Sequence, residues 1–103
     1  MNCFAAVADP TRRRIVELLA AQPLSSGEIA ARFDITASAI SQHLKVLRNA
    51  KLVRATVAAQ HRIYELDAGG VEEMDAWIQQ IRRFWSVRLD ALELALKRED
   101  GHE

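Results

Sequence analysis

The chain has 103 residues, of which 27% are charged and 50% apolar, and it contains one cysteine. This composition excludes a disordered tail, and no apolar run approaches the roughly 18 residues that a membrane-spanning helix needs. A lone cysteine excludes an internal disulfide and leaves a multi-thiolate metal site short of ligands. The first residues lack the basic-then-apolar pattern of a signal peptide, so we expect a single cytoplasmic domain over residues 1–103 with no membrane attachment.

The formal net charge of zero conceals an uneven distribution along the chain. Residues 1–62 carry nine basic and four acidic side chains, whereas residues 63–103 carry five basic and ten acidic ones. An excess of positive charge in one half is typical of a face that binds a polyanion, although chance clustering on solvated helices gives the same count. A motif is therefore needed to choose between these two interpretations.

The first quarter of the chain contains a clear helix-start signal. Asp9 is a favoured N-cap and Pro10 a favoured first helical residue, so a helix is predicted from there to about Ala21. The apolar stretch before it predicts a short helix over about residues 2–8, which ends at Asp9-Pro10.

Two further helices are predicted next, joined by a tight turn. Ser25 and Glu28 have the spacing of a capping box, and the short helix that they open is expected to close at Asp34. Thr36 is a second favoured N-cap, and the helix behind it is predicted to reach about Ala50. Its apolar residues recur at the spacing of a single buried stripe. That stripe consists of Ile40, Leu44 and Leu47.

The hydrophobic period then changes from that of a helix to that of a strand. Residues 52–57 and 61–66 read as two strands, joined into a hairpin by residues 58–60. Two helices with a short connection, followed at once by a hairpin, indicate a winged helix-turn-helix. The predicted fold class is therefore mainly α with a small β-hairpin, with the helix-turn-helix at about residues 25–50 and the wing at about residues 52–67.

The third predicted helix presents a polar face opposite its buried stripe. Small side chains at Ser38 and Ser41 let a helix approach a DNA groove, the amide of Gln42 can pair with adenine, and Lys45 suits a phosphate. A merely solvated face is the alternative, but the neighbouring turn and hairpin favour DNA recognition. His43 also fits a partly buried structural role. The predicted DNA-binding residues are Thr36, Ser38, Ser41, Gln42, His43, Lys45, Arg48, Arg54 and Arg62.

A long helix is predicted over about residues 71–97, after the two glycines at 69 and 70. It would span roughly 40 Å, more than so small a domain can cover, so its apolar seam is expected to be buried in a two-fold homodimer. A ligand pocket among Trp77, Phe84 and Trp85 is the less favoured alternative. The predicted dimer-interface residues are Phe4, Met74, Trp77, Ile78, Ile81, Trp85, Leu89 and Leu92.

The chain resembles the ArsR-type winged helix-turn-helix repressors from about Phe4 to Leu96. The resemblance is carried by Asp9-Pro10-Thr11-Arg12-Arg13-Arg14-Ile15, by residues 24–33, by Leu52-Val53 and above all by Ile40-Ser41-Gln42-His43-Leu44-Lys45-Val46-Leu47. It implies a homodimer that represses transcription from a palindromic operator in double-stranded DNA. It also implies that the helix at 36–50 enters the major groove and that the first and last helices form the dimer interface.

Three departures from the family pattern bear on what the protein senses. The positions of the family's Cys-x-Cys metal motif hold Ala30-Ala31-Arg32, and residues 71–98 contain no histidine. We therefore predict no metal site and no cofactor, as in the non-metal-sensing, autorepressor-like members. The wing tip at residues 58–60 lacks the usual glycine and basic residue. A small-molecule inducer is conceivable but has no support in the sequence, and a redox role for Cys3 has little.

Two other function classes are alternatives to a DNA-binding regulator. An enzyme is not predicted, because the chain has no Gly-rich phosphate loop, metal-ligand cluster or nucleophile elbow. A winged-helix protein-docking module is the stronger alternative. Docking surfaces favour apolar and aromatic anchors, and the exposed face of residues 36–50 supplies none.

Overall fold

A computed structural model describes residues 3–100, excluding the side chain of residue 100. It is mainly helical with a small antiparallel sheet, which confirms the predicted fold class. The start of the first predicted helix, at residue 2, and the third histidine, His102, lie outside the described residues. The elements are α1 (Cys3–Ala8), α2 (Pro10–Ala21), β1 (Leu24–Ser25), α3 (Ser26–Ala30), α4 (Ala37–Asn49), β2 (Val53–Ala58), β3 (His61–Leu66) and α5 (Ala68–Asp100).

The predicted start and end of α2 are confirmed. The Asp9 carboxylate accepts a hydrogen bond of 3.0 Å from the backbone N–H of Arg12, and Pro10 occupies the first helical turn. Helix α2 ends at Ala21, and Gln22 forms its C-cap in an extended conformation. Its buried face then carries Ile15 and Leu19 into the core.

Helix α3 is shorter than predicted. The capping box is present, because the Ser25 hydroxyl accepts from the Glu28 N–H and the Glu28 carboxylate accepts from the Ser25 N–H. The helix nevertheless ends at Ala30 instead of running to Asp34. The N–H groups of Arg32 and Phe33 each bond to a carbonyl three residues back, so the chain tightens into a turn before α4.

Helix α4 has the predicted cap and the predicted buried stripe. The Thr36 hydroxyl accepts from the Ala39 N–H at 3.0 Å, and the three stripe residues are at most 1% exposed. The helix ends in a Schellman motif, in which Leu52 N–H bonds to the Leu47 carbonyl and Lys51 N–H to the Arg48 carbonyl. Lys51 has a φ of 59° in the left-handed region that this motif requires.

The sheet has three strands, in the order β1-β3-β2, whereas only the hairpin was predicted. In the hairpin, Arg54 pairs with Glu65 and Ala55 with Tyr64. The additional strand β1 pairs with β3 through Leu24 and Tyr64. A strand of two residues has no readable period, and here it ties the start of α3 to the wing.

Helix α5 begins earlier than predicted and includes both glycines. The Asp67 carboxylate accepts from the Gly69 N–H at 2.9 Å, as an N-cap does. Gly70 donates its N–H to the Lys51 carbonyl at 2.9 Å, and a Cβ at Gly70 would overlap that carbonyl group. Gly70 therefore lies inside the helix because α5 crosses the turn after α4 too closely for a side chain.

The core lies between α1, α2, α3, α4 and the sheet, and α5 leaves it over most of its length. The Phe4 ring packs edge-on against Trp77 with centroids 4.9 Å apart, so α1 rests on the first part of α5. Of the predicted interface residues, Phe4, Met74 and Ile81 are half-buried within this chain, and the others are exposed. The large apolar side chains of α5 that remain exposed are Val71, Trp77, Ile78, Phe84, Trp85, Val87, Leu89, Leu92, Leu94 and Leu96.

Candidate nucleic-acid interface

The exposed face of α4 carries the residues predicted to read DNA. Ser38, Ser41, Gln42 and Lys45 are all solvent-exposed, while the opposite face of the helix is buried. Thr36 caps the helix with its hydroxyl, so this oxygen is already engaged by the Ala39 N–H. The four exposed side chains form one continuous polar strip along the helix, and a B-DNA major groove is wide enough to admit an α-helix.

A groove of about 340 Å³ separates α4 from β3. It brings together three of the predicted cations, Lys45, Arg48 and Arg62, and its lining contains no acidic side chain. Such a cationic groove is suited to a phosphate backbone. Its lining residues are Ser41, Gln42, Lys45, Arg48, Asn49, Arg62 and Tyr64.

Two lining residues were missed at the sequence level, Asn49 and Tyr64. Asn49 follows Lys45 by four residues, so the helical spacing that selected Gln42 and Lys45 could have been extended to it. Tyr64 had no such signal, because only the sheet register shows that it lies on the face turned towards α4. It is 6% exposed and belongs to the core as well as to the groove.

The two arginines of the wing lie on opposite faces of the sheet. Arg62 pairs with Val57 and Arg54 pairs with Glu65, and successive side chains on a strand alternate between faces. Arg62 therefore shares the face of Tyr64 and lines the groove, whereas Arg54 does not. The Arg54 guanidinium instead bonds to the Glu65 carboxylate at 2.8 Å.

His43 lies apart from the polar strip of α4, in a cluster at the start of α2. The Arg12 guanidinium donates to His43 Nδ1 at 3.3 Å and, through Nε, to the Ala6 carbonyl at 2.7 Å. Because arginine has no acceptor, this contact is a hydrogen bond only in the tautomer whose Nδ1 carries no proton. Arg12 thus links the end of α1 to α4 beside Gln42.

Asp9 completes this cluster. Its carboxylate lies 4.0 Å from His43 Nδ1. The backbone hydrogen bond from Arg12, reinforced by the charges of Arg12 and His43, holds the pKa of Asp9 below its ordinary value of 3.8. His43 is half-buried and lies against Arg12 and Asp9. These contacts fit the structural role that the sequence left open beside phosphate binding.

The tip of the wing is small and lightly charged. Ala59 has a φ of 57°, in the region that favours glycine, and Val57, two residues before it, is 74% exposed. His61 pairs with Ala58 at the base of the turn. The tip therefore has no lysine or arginine of its own, and the nearest cation is Arg62.

Comparison with known proteins identifies the family to which this chain belongs. Residues 9–55 match the family model described as bacterial regulatory protein, arsR family. The chain is 44% identical over 88 residues to the HTH-type transcriptional regulator Rv2034 of Mycobacterium tuberculosis, covering 85% of this chain and 79% of that protein. It belongs to the ArsR family.

Further relatives agree with this assignment. The transcriptional repressor SdpR of Bacillus subtilis is 34% identical over 77 residues, which is 75% of this chain and 86% of that protein. A crystal structure titled a possible transcriptional regulator for arsenical resistance has a TM-score of 0.72 at 37% identity, covering 79% of this chain and 84% of that one. This ArsR-family protein is a DNA-binding transcriptional regulator with the winged helix-turn-helix fold.

Across residues 3–100, no three His, Cys, Asp or Glu side chains lie close enough together to hold a metal ion. In the same range, no helix is both long and apolar enough to cross a bilayer. Cys3 is fully buried in the core.

Proposed function

We propose that this regulator represses transcription as a homodimer bound to a palindromic operator in double-stranded DNA. The observation that carries the proposal is the groove between α4 and β3, where the recognition face meets Lys45, Arg48 and Arg62 with no acidic side chain in the lining. A helix bearing short polar side chains and flanked by cations is complementary to a major groove between two phosphate backbones.

The residues divide into those that read bases and those that position the protein. Gln42 is exposed at the centre of the face, and its amide can accept from and donate to one adenine. Ser38 and Ser41 reach bases or phosphates near the start of the helix. Lys45, Arg48 and Arg62 bind phosphates and set the register without reading sequence.

Three predicted DNA-binding residues take a smaller part in the proposal. Arg54 is paired with Glu65 on the far face of the wing, so it neither enters the groove nor adds net positive charge to it. His43 positions α4 through Arg12. Thr36 caps α4 by accepting a hydrogen bond from the Ala39 N–H, which leaves its hydroxyl hydrogen available to donate to a phosphate.

The proposed homodimer is supported by the apolar surface that one chain leaves uncovered. Helix α5 has 33 residues, or roughly 50 Å, and the ten large apolar side chains named above stay exposed along it. Soluble monomers rarely expose a patch of that length. Two copies related by a two-fold axis bury the side of α5 that carries Ile78, Trp85 and Leu92, and they place their recognition helices about one DNA turn, ~34 Å, apart.

Repression is proposed because a dimer seated on a promoter blocks polymerase and because the relative SdpR is named a repressor. The transcriptional activator HlyU of Vibrio cholerae, 35% identical over 80 residues, carries the opposite name. A promoter-reporter measurement with and without the protein distinguishes the two directions. Rising transcription on addition of the protein would overturn repression and leave operator binding intact.

The experiment that tests the proposal is fluorescence anisotropy on labelled DNA from upstream of the protein's own gene, against scrambled DNA of equal length. We expect at least ~10³-fold preference for the upstream fragment and a steep loss of affinity with salt. Equal binding to both fragments over the salt series would contradict operator recognition at this site. Absence of binding at low salt would favour the protein-docking alternative.

Release by a thiol reaction or by a small molecule is not part of the proposal. Cys3 is fully buried, so a thiol reagent does not reach it in this conformation. Trp77, Phe84 and Trp85 are about half exposed on the surface of α5, which is the arrangement of an interface more than of an enclosed ligand pocket.

A further inference from the structure

The exposed side of α5 has a seven-residue repeat. Val71, Ile78 and Trp85 lie one above another and are 40%, 39% and 53% exposed. Beside this line run Met74 and Ile81, which are half-buried against the rest of the chain. Apolar residues alternating three and four apart form the seam that two packed helices share.

One edge of this seam carries an acidic and a basic side chain at the same position of two successive seven-residue repeats. Asp75 and Arg82 follow Met74 and Ile81 by one residue, which places both about 100° round the helix on the same side. Asp75 accepts a hydrogen bond from Gln79 at 2.9 Å. Within the described residues, neither Asp75 nor Arg82 has an ion-pair partner.

We propose that a second copy of this chain pairs its α5 with this seam in antiparallel orientation, with the two-fold axis passing between Gln79 and Gln80. In this register Ile78 meets the partner's Ile81 and Met74 meets the partner's Trp85. In antiparallel pairing, the edge of α5 that carries Asp75 and Arg82 faces the same edge of the partner's α5. Asp75 therefore lies beside the partner's Arg82, and the two-fold symmetry repeats this ion pair. The inference rests on the homodimer proposed above and specifies its alignment.

Charge selects this register from its neighbours. A shift by one repeat in one direction sets Asp75 against the partner's Asp75, and a shift in the other sets Arg82 against the partner's Arg82. Like charges at such close range oppose pairing, whereas the proposed alignment joins opposite charges twice. Parallel pairing sets Arg82 against the partner's Trp77 and gains neither ion pair.

The two helices then overlap over residues 68–91. Leu92 reaches the turn that precedes the partner's α5, and the last two turns extend along the partner's winged-helix body. This accounts for exposed apolar side chains beyond the overlap, including Leu96 at 53% exposure.

The test uses two charge reversals in the full chain, Asp75→Arg and Arg82→Asp. Each variant alone places like charges at both pairs, so we expect its dimer to dissociate about tenfold more readily than wild type at low salt. An equimolar mixture restores both opposite-charge pairs between unlike chains. We therefore expect wild-type affinity and predominant heterodimer in the mixture.

Sedimentation equilibrium measures the dimer dissociation constants, and native mass spectrometry identifies the heterodimer by mass. Asp90→Arg is the matched control, because Asp90 is an exposed acid of the same helix on the side away from the seam. We expect it to leave the dissociation constant unchanged. Circular dichroism melts verify that each variant is folded.

The outcomes separate the register from the dimer itself. A wild-type protein that is monomeric at low salt would overturn the homodimer and this alignment with it. A dimeric wild type whose two variants fail to form a preferred heterodimer would overturn the alignment alone. Preferred heterodimer formation would support antiparallel pairing about Gln79 and Gln80.

Discussion

Helical periodicity determines which side chains of α4 face solvent and the groove. The spacing of Ile40 and Leu44 defines the buried face, so the exposure of Ser41, Gln42 and Lys45 on the other side follows from geometry alone. The wing did not allow the same inference. Whether Arg54 or Arg62 faces the groove depends on strand register and on the Glu65 carboxylate that pairs with Arg54.

Gln42→Ala tests base readout at the residue scale. Loss of a bidentate amide should cost roughly 1–3 kcal/mol on the operator and relax the preference at one base pair, with little change on random DNA. Lys45→Ala is the contrasting variant and should weaken both DNAs while flattening the salt slope by about one. Anisotropy titrations at several salt concentrations measure both effects. Equal losses on operator and random DNA in Gln42→Ala would remove Gln42 from base recognition.

Asp9 gives the fold a defined dependence on pH. Its pKa lies below 3.8 because the Arg12 N–H and the nearby positive charges favour the carboxylate, so its stabilisation is present at neutral pH and disappears as the pH falls through that lowered value. We expect Asp9→Ala to be less stable than wild type near neutrality. Urea unfolding curves of the two proteins should converge in acid, and a constant difference down to the lowest pH would contradict this assignment.

At the scale of elements, capping and turn residues predict where a helix or strand begins or ends. They carry no information about which other elements pack against that boundary. The capping box predicted where α3 starts, yet its early end at Ala30 depends on the tight turn that leads into α4. Strand β1 was invisible because two residues carry no pattern. The start of α5 was misplaced because Gly69 and Gly70 disfavour helix locally, while the contact with Lys51 requires the second of them.

The two glycines of α5 should respond oppositely to the same substitution. Gly70→Ala places a methyl group onto the Lys51 carbonyl and should cost about 1–3 kcal/mol through backbone displacement. Gly69→Ala meets only the Asp67 carboxylate at an ordinary 3.4 Å and should stabilise by roughly 0.5–1 kcal/mol. Thermal unfolding by circular dichroism compares them. Similar effects in both variants would contradict the close approach at Gly70.

The wing turn offers a second test of an element. Ala59 adopts a φ of 57°, a conformation that is sterically unfavourable for an L residue but not for glycine. We expect Ala59→Gly to raise the unfolding free energy by up to about 1 kcal/mol after the added chain entropy of glycine is subtracted. Ala58→Gly, in the adjoining strand, is the control and should destabilise instead. A lower melting temperature for Ala59→Gly would show that the turn takes another conformation.

For the whole molecule, the elongated shape of one chain determines which apolar surface a second chain has to cover. The chain measures 73 × 27 × 22 Å, and its long dimension follows from α5 extending past the winged-helix body. An extended helix with a continuous apolar seam gains most of its stabilisation from burial against another surface. The proposed dimer therefore links α5 to DNA binding through the spacing of two recognition helices.

Trp85→Asp tests that link. A charge within the seam should dissociate the dimer and abolish operator binding, because one winged helix contacts only half of a palindrome. Val87→Asp is the control, since Val87 is 69% exposed on the other side of α5. Sedimentation and anisotropy report on the two properties together. A Trp85→Asp protein that still sediments as a dimer would exclude this part of α5 from the interface.

The sequence by itself determined the order of the helices, their caps, the buried stripe of α4 and the family, because each depends on residues close together in the chain. Tertiary structure alone decided that Arg62 joins the groove and Arg54 does not, that His43 is held by Arg12, and that Gly70 must lack a side chain. These features depend on contacts between distant segments. Local periodicity carries no information about such contacts until the elements are packed.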